Sequence, residues 1–254
     1  LRIRSASTAL AALTALAVLG LDAGAARALG PVNATLGIDY YHGPESQTTV
    51  RPMGECEAEV DSFSATVGAS HFEDNQTGHA WGITATLKGL VAPRLRMVAA
   101  GTGFAGDSTH GAWRAKLGPE WTLAPERTIG VFAVHYDDRF GNRASGVETD
   151  FDTPLVPRLS GSMAVAVERS NGLTGEDATA TLAWNLSDVF ELTGDLGVSH
   201  NGSGLTGLLP PRGLLQKQQG GRSSGKGGGP PSTGTSTTAT VTSATALIGV
   251  RVHF

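Results

Sequence analysis

The sequence predicts an all-β protein, a closed antiparallel up-and-down transmembrane β-barrel of about twelve strands, with ten as the alternative count. Three observations carry that expectation. Runs of about ten residues alternate apolar and polar side chains, the two-residue period of a strand with one apolar face. Four look-alike segments, "LVAPRLRM" (90–97), "TLAPERTI" (122–129), "PLVPRLSG" (154–161) and "NLSDVFEL" (185–192), interrupt those runs at a regular spacing. The last run, "SATALIGVRVHF" (243–254), sets Ala244, Ala246, Ile248, Val250, Val252 and Phe254 on one face.

The N-terminal segment reads as an address. Arg2 and Arg4 precede an apolar stretch from Ala9 to Leu21, and small residues then lead to Ala26-Arg27-Ala28. That is the layout of a secretory signal peptide over residues 1–28, with cleavage after Ala25 or retention as an anchor as the alternatives. The barrel domain is then expected over 29–254. No other apolar run approaches the ~20 residues of a spanning helix. The formal net charge of −4 and a pI near 6.0 give no global basic field, so nucleic acid is not an expected partner. With Cys56 alone, no internal disulfide can form, and the 35 glycines suit many turns and close strand packing.

Pro93, Pro125 and Pro157 stand 32 residues apart, Val189 falls on the next beat, and Asp61 lies one beat earlier. Proline cannot join a central ladder, and Ser187-Asp188 can break a strand by side-chain hydrogen bonding, so each beat is a tight turn between hairpins. The strands are expected at 33–42, 51–59, 62–72, 79–89, 93–103, 111–121, 127–137, 143–152, 157–168, 176–186, 190–200 and 242–254. Within 157–168, Leu159, Gly161, Met163, Val165 and Val167 oppose Arg158, Ser160, Ser162, Ala164, Ala166 and Glu168. Within 111–121, Trp113, Ala115, Leu117 and Trp121 oppose Arg114, Lys116 and Glu120. Pro52 weakens the strand at 51–59, which is why ten strands stay open.

Short turns on one side and longer loops on the other describe a membrane barrel. In lipid every backbone polar group needs a partner, so the sheet must close. A soluble barrel or sandwich, with its apolar face inward, is the competing fold. Constant strand length and a terminal aromatic favour the membrane form, with Trp121, Phe151, Trp184, Phe190 and Phe254 as a girdle on the turn side and Tyr40 toward the other rim.

A signal peptide, hairpins with short turns and a closing strand ending in phenylalanine together resemble the outer-membrane β-barrel proteins of Gram-negative bacteria. The resemblance is architectural and covers the whole mature chain. It implies a cell outer-membrane location, contact with lipid and lipopolysaccharide, and turns on the periplasmic side. In that class the terminal aromatic strand is read by the barrel-assembly machinery, and Val250, Val252 and Phe254 match its pattern.

The face opposite the apolar one would line a lumen. Lys88, Arg94, Arg96, Arg114 and Lys116 form a basic stretch, while Glu148, Asp150, Asp152, Glu191 and Asp195 are acidic, as are Glu55, Glu57 and Glu59. Closed into a cylinder, this sets a basic wall against acidic ones, an arrangement that orients dipolar solutes in a water-filled pore. The expected function is a narrow passive channel for small polar or charged solutes. The alternatives are a plugged, structural barrel acting through its loops and, more weakly, a rim hydrolase.

No catalytic set, metal site or cofactor motif is assigned. H-E-x-x-H, G-x-S-x-G and P-loop patterns are absent from the sequence. His71, His79, His110, His135 and His200 fall near one rim without ligand spacing, and "HYDDRFGN" (135–142) reads as a polar hairpin loop. The segment 201–241 is rich in Gly, Ser, Thr and Pro and carries Arg212, Lys217, Arg222 and Lys226. Such a composition buries too little apolar surface to offset ordering. It reads as a loop insertion or as a cationic contact for lipopolysaccharide.

Overall fold

The computed structural model describes residues 32–42, 48–74, 78–106, 112–137, 143–170, 173–200 and 242–254. The expected signal peptide at 1–28 and the loop at 201–241 lie outside them. The described residues form twelve strands: β1 (Val32–His42), β2 (Thr48–Val60), β3 (Phe63–Asp74), β4 (Gly78–Ala92), β5 (Leu95–Gly106), β6 (Ala112–Ala124), β7 (Arg127–Asp137), β8 (Arg143–Val156), β9 (Leu159–Ser170), β10 (Leu173–Asn185), β11 (Phe190–His200) and β12 (Thr242–His253). Each pairs antiparallel with its neighbours in sequence, and β12 returns to β1, so the sheet closes. Phe254 and Ala34 complete that seam with two backbone bonds of 2.8 and 3.3 Å.

Pro52 does not remove β2. The β1–β2 pairing runs through Arg51 and Pro52, while the β2–β3 ladder passes from Val50 to Met53. A residue without an N–H loses a ladder bond there, and the strand survives. Twelve strands result.

The repeated turns stand where the beat places them. Asp61, Arg94, Glu126 and Arg158 have φ of 50°, 69°, 58° and 69°. In the last three, proline fixes the first turn position and the next residue enters the left-handed region, unusual for a side chain bearing a Cβ. Before each proline the pairing slips by one residue, between Leu90 and Ala92, Thr122 and Ala124, and Pro154 and Val156. This shared bulge carries β4, β6 and β8 three or four residues past their expected ends. In the remaining turn, Ser187 Oγ accepts the N–H groups of Val189 and Phe190 at 3.2 and 3.1 Å. Adjacent turns are tied together: Thr122 N–H donates to Arg94 O, and Asn185 N–H to Arg158 O, both at 2.8 Å.

Outward residues make the apolar band. Ile38, Ile83, Leu117, Val147, Leu182 and Ile248 are all exposed. An apolar surface running round the whole wall is stable against hydrocarbon rather than water. Trp121, Trp184, Phe190 and Phe254 are exposed beside the turns, joined by Phe63, and Phe151 faces outward half-buried. Tyr40 is exposed toward the other rim, as is Trp113. The rim histidines pack with that outer belt. His71 lies 4.4 Å from the Trp81 ring and 6.2 Å from His79, and His135 lies 5.2 Å from Trp113, with its Nδ1 2.7 Å from Ser145 Oγ.

Candidate functional site

Alternate residues of every strand face the lumen, and the pairing carries one parity round the barrel. Asp39 stands opposite Arg51, Lys88 opposite Val98, Lys116 opposite Val134, Phe132 opposite Glu148, and Asp195 opposite Leu247. Around β4–β8 this inner face carries an ionic belt. Lys116 Nζ is 2.9 Å from Glu148 Oε1 and 2.6 Å from Asp150 Oδ2, while Arg114 pairs with the other oxygen of Glu148. Lys88 Nζ lies 3.3 Å from Glu120 Oε2.

Each of these pairs skips a strand. Lys116 is in register with Val134 and Val134 with Gly146, and Glu148 is one same-face step closer to the turns. Strands tilted by roughly 40° in a closed barrel bring such diagonal neighbours to one height. Lys88, Val98, Gly118 and Glu120 repeat the geometry. Both pairs are 32 residues apart in sequence, the spacing of the turns. The strand between is kept low by Gly130, where a Cβ would come within 2.3 Å of the Phe132 ring. That ring lies along the wall, and Lys116 Nζ sits 4.4 Å from its centroid.

A second ionic group surrounds the seam. Arg51 Nε donates to Asp39 Oδ2 at 2.8 Å, and Asp39 is wholly buried. Arg251 Nη1 lies 3.4 Å from Glu191 Oε1, and His253 Nδ1 is 3.0 Å from Thr35 Oγ1. Asp195 is buried within electrostatic reach of Arg251 and Arg51. Gly249 makes room here, since a Cβ would stand 2.0 Å from Asp39 Oδ1.

Acidic residues occupy the lumen beyond both groups. Glu55, Glu57 and Glu59 follow Arg51 toward the turn side of β2. Glu168 and Asp177 are buried toward the loop ends of β9 and β10. On the loop side of β3–β8, Phe72, Phe104 and Tyr136 pack with Ala80, Ala112 and Ala144 as an apolar shelf. Open space of about 150 Å³ remains along β8–β10, lined by Asp150, Asp152, Ser162, Ala164, Thr179 and Thr181. Among the described residues no three His, Cys, Asp or Glu side chains converge as metal ligands would.

Lys88, Arg114, Lys116, Glu148, Asp150, Asp152, Glu191 and Asp195 therefore all occupy the inner face. Arg96 shares it near the turn-side mouth, opposite Glu120 in register and exposed. Arg94 does not: it is the left-handed residue of the β4–β5 turn. The proline before it places it outside the alternation. The expected basic wall facing acidic walls is also revised, because the bases of β4 and β6 are paired along the wall with acids of β6 and β8. Asp39 and Arg51 escaped sequence reading, although Asp39 alternates with Ile38 and Tyr40 in "LGIDYY". Phe132, Val134 and Tyr136 escaped it because β7 is apolar on both faces, so period alone assigns neither.

No protein-family model matches the sequence, and no curated protein sequence matches it significantly. Solved structures do share the fold. The KdgM porin is 9% identical at a TM-score of 0.55, with 86% of this chain and 99% of that one covered. The KdgM porin in complex with disordered oligogalacturonate is 10% identical at 0.55, with the same coverage. The NanC porin is 6% identical at 0.56, covering 85% of this chain and 98% of that one. At these identities the likeness is one of fold: a closed porin-type barrel spanning nearly the whole of each neighbour.

Proposed function

We propose that this chain is an outer-membrane channel, a narrow passive passage for small polar or charged solutes. One observation carries the reading: the closed wall is apolar outward and ionic or hydroxylated inward. A barrel with those two faces separates hydrocarbon from a polar interior along its length. The shared fold with porins supports passage rather than catalysis as the use of that interior. The apolar shelf and ionic belt make the passage narrow, in keeping with twelve strands, between the filled eight-stranded barrel and the open sixteen-stranded channel. Export through a signal peptide, contact with lipopolysaccharide and recognition of Val250, Val252 and Phe254 by the assembly machinery belong to the same proposal.

Purified full-length protein, reconstituted in a planar bilayer, should give stepwise conductance. Silence from protein whose gel migration still shifts on boiling overturns the channel reading. A second reading, a plugged barrel working through its loops, is favoured by the burial of Asp39, Phe132 and Glu148, each 2% exposed or less. The same bilayer separates the two, because a channel conducts in steps and a plugged barrel stays silent.

A further inference from the structure

We infer that the lumen prefers cations, excluding small anions relative to small inorganic or organic cations of the same size; this rests on the channel reading above. The basis is where the fold places its charges. Of 23 Asp and Glu in the chain, twelve face the lumen among the described residues: Asp39 on β1, Glu120 on β6, and ten more already placed on β2 and β8–β11. Of 19 Lys and Arg, six face it: Arg51, Lys88, Arg96, Arg114, Lys116 and Arg251. Among the described residues the wall therefore turns six more acids than bases inward, while Arg94 and Arg158 stay on the turns and Arg143 at an outer strand end.

Ion pairing does not alter that sum. An Arg or Lys held against an acid cancels locally and leaves the excess of acids for a passing ion. The excess also extends through the depth of the barrel. Glu168 and Asp177 stand toward the loop side, Asp195 at the level of the seam group, and Glu55, Glu57 and Glu59 toward the turns. A low-dielectric wall focuses such a field into the lumen, raising the local concentration of counter-ions and lowering that of co-ions.

The test is a zero-current potential across a bilayer of zwitterionic lipid holding the full-length protein. In a roughly tenfold KCl gradient, its sign should be that of potassium diffusion, with potassium at least about threefold more permeant than chloride. The preference should grow as salt is lowered, because the Debye length stretches from ~3 Å at 1 M to ~10 Å at 0.1 M. Replacing Glu55, Glu57 and Glu59 together by Gln should bring the ratio toward one, and boiling should still shift that variant on a gel. Open channels that pass both ions equally, or favour chloride, overturn the inference and leave the channel reading intact. A silent bilayer overturns the channel reading and the inference with it.

Discussion

The two sides of the lumen hold their charges differently. Along β4–β8 the charges serve the wall: Glu148 is shared by Arg114 and Lys116, Asp150 takes a second bond from Lys116, and an aromatic ring supports the ammonium. Around the seam, Asp39 answers Arg51 and Glu191 answers Arg251, while buried Asp195 is an additional acid within electrostatic reach of both bases. The first arrangement consumes its charges in a rigid belt. The second leaves negative charge over for the lumen. The difference shows that a charged inner face is not one kind of feature, since ionisable residues of the same parity can brace a wall or colour a passage.

The sharpest way to break this contrast is Glu148→Ala. It takes the carboxylate from half-buried Arg114 and leaves half-buried Lys116 with Asp150 alone, and should cost about 3 kcal/mol. The variant should lose its heat-shifted gel migration at a clearly lower temperature than the parent. Asp39→Ala should cost less, about 1–3 kcal/mol, because it withdraws the carboxylate from one cation, Arg51, rather than from two. Equal losses in the two variants, read by denaturant titration in the same detergent, would erase the distinction between the two sides.

Smaller effects sharpen it. The Lys88–Glu120 pair, at 3.3 Å and with Lys88 a third exposed, is the loosest part of the belt. Lys88→Ala should therefore cost no more than about 1 kcal/mol in the same titration. The turns should respond in the opposite sense. Arg94→Gly, Glu126→Gly and Arg158→Gly relieve left-handed strain at the cost of a more flexible unfolded chain, and each should stabilise by about 0.5 kcal/mol. Arg94→Gly should also leave ion selectivity unchanged, whereas Arg96→Gln, at the turn-side mouth, should raise the cation preference.

Much of this protein was legible along the chain because membrane barrels write their geometry locally. The strands at 127–137 and 190–200 coincide with β7 and β11, since proline and serine turns punctuate an uninterrupted two-residue period. The same period placed eight of the ten expected lumen residues on the wall proper and Arg96 at its mouth. It missed Arg94 because a residue inside a turn has no parity to inherit. β2 begins at Thr48 rather than at 51 and runs through Pro52, because a single missing donor is tolerated when the other edge stays paired.

By itself, then, the sequence determined the repeating turns and which face of most strands meets lipid, because those properties depend on neighbours one or two residues away, and it left the strand count between twelve and ten until the closed sheet fixed it. Only the tertiary structure decided which acid meets which base. Lys116 reaches Glu148 across β7 because closure tilts the strands and brings residues two strands apart to one height. Asp39 is buried against Arg51 because β12 returns to β1 and Gly249 leaves it space. Those contacts depend on the closing of the whole cylinder, and a period of two cannot encode them.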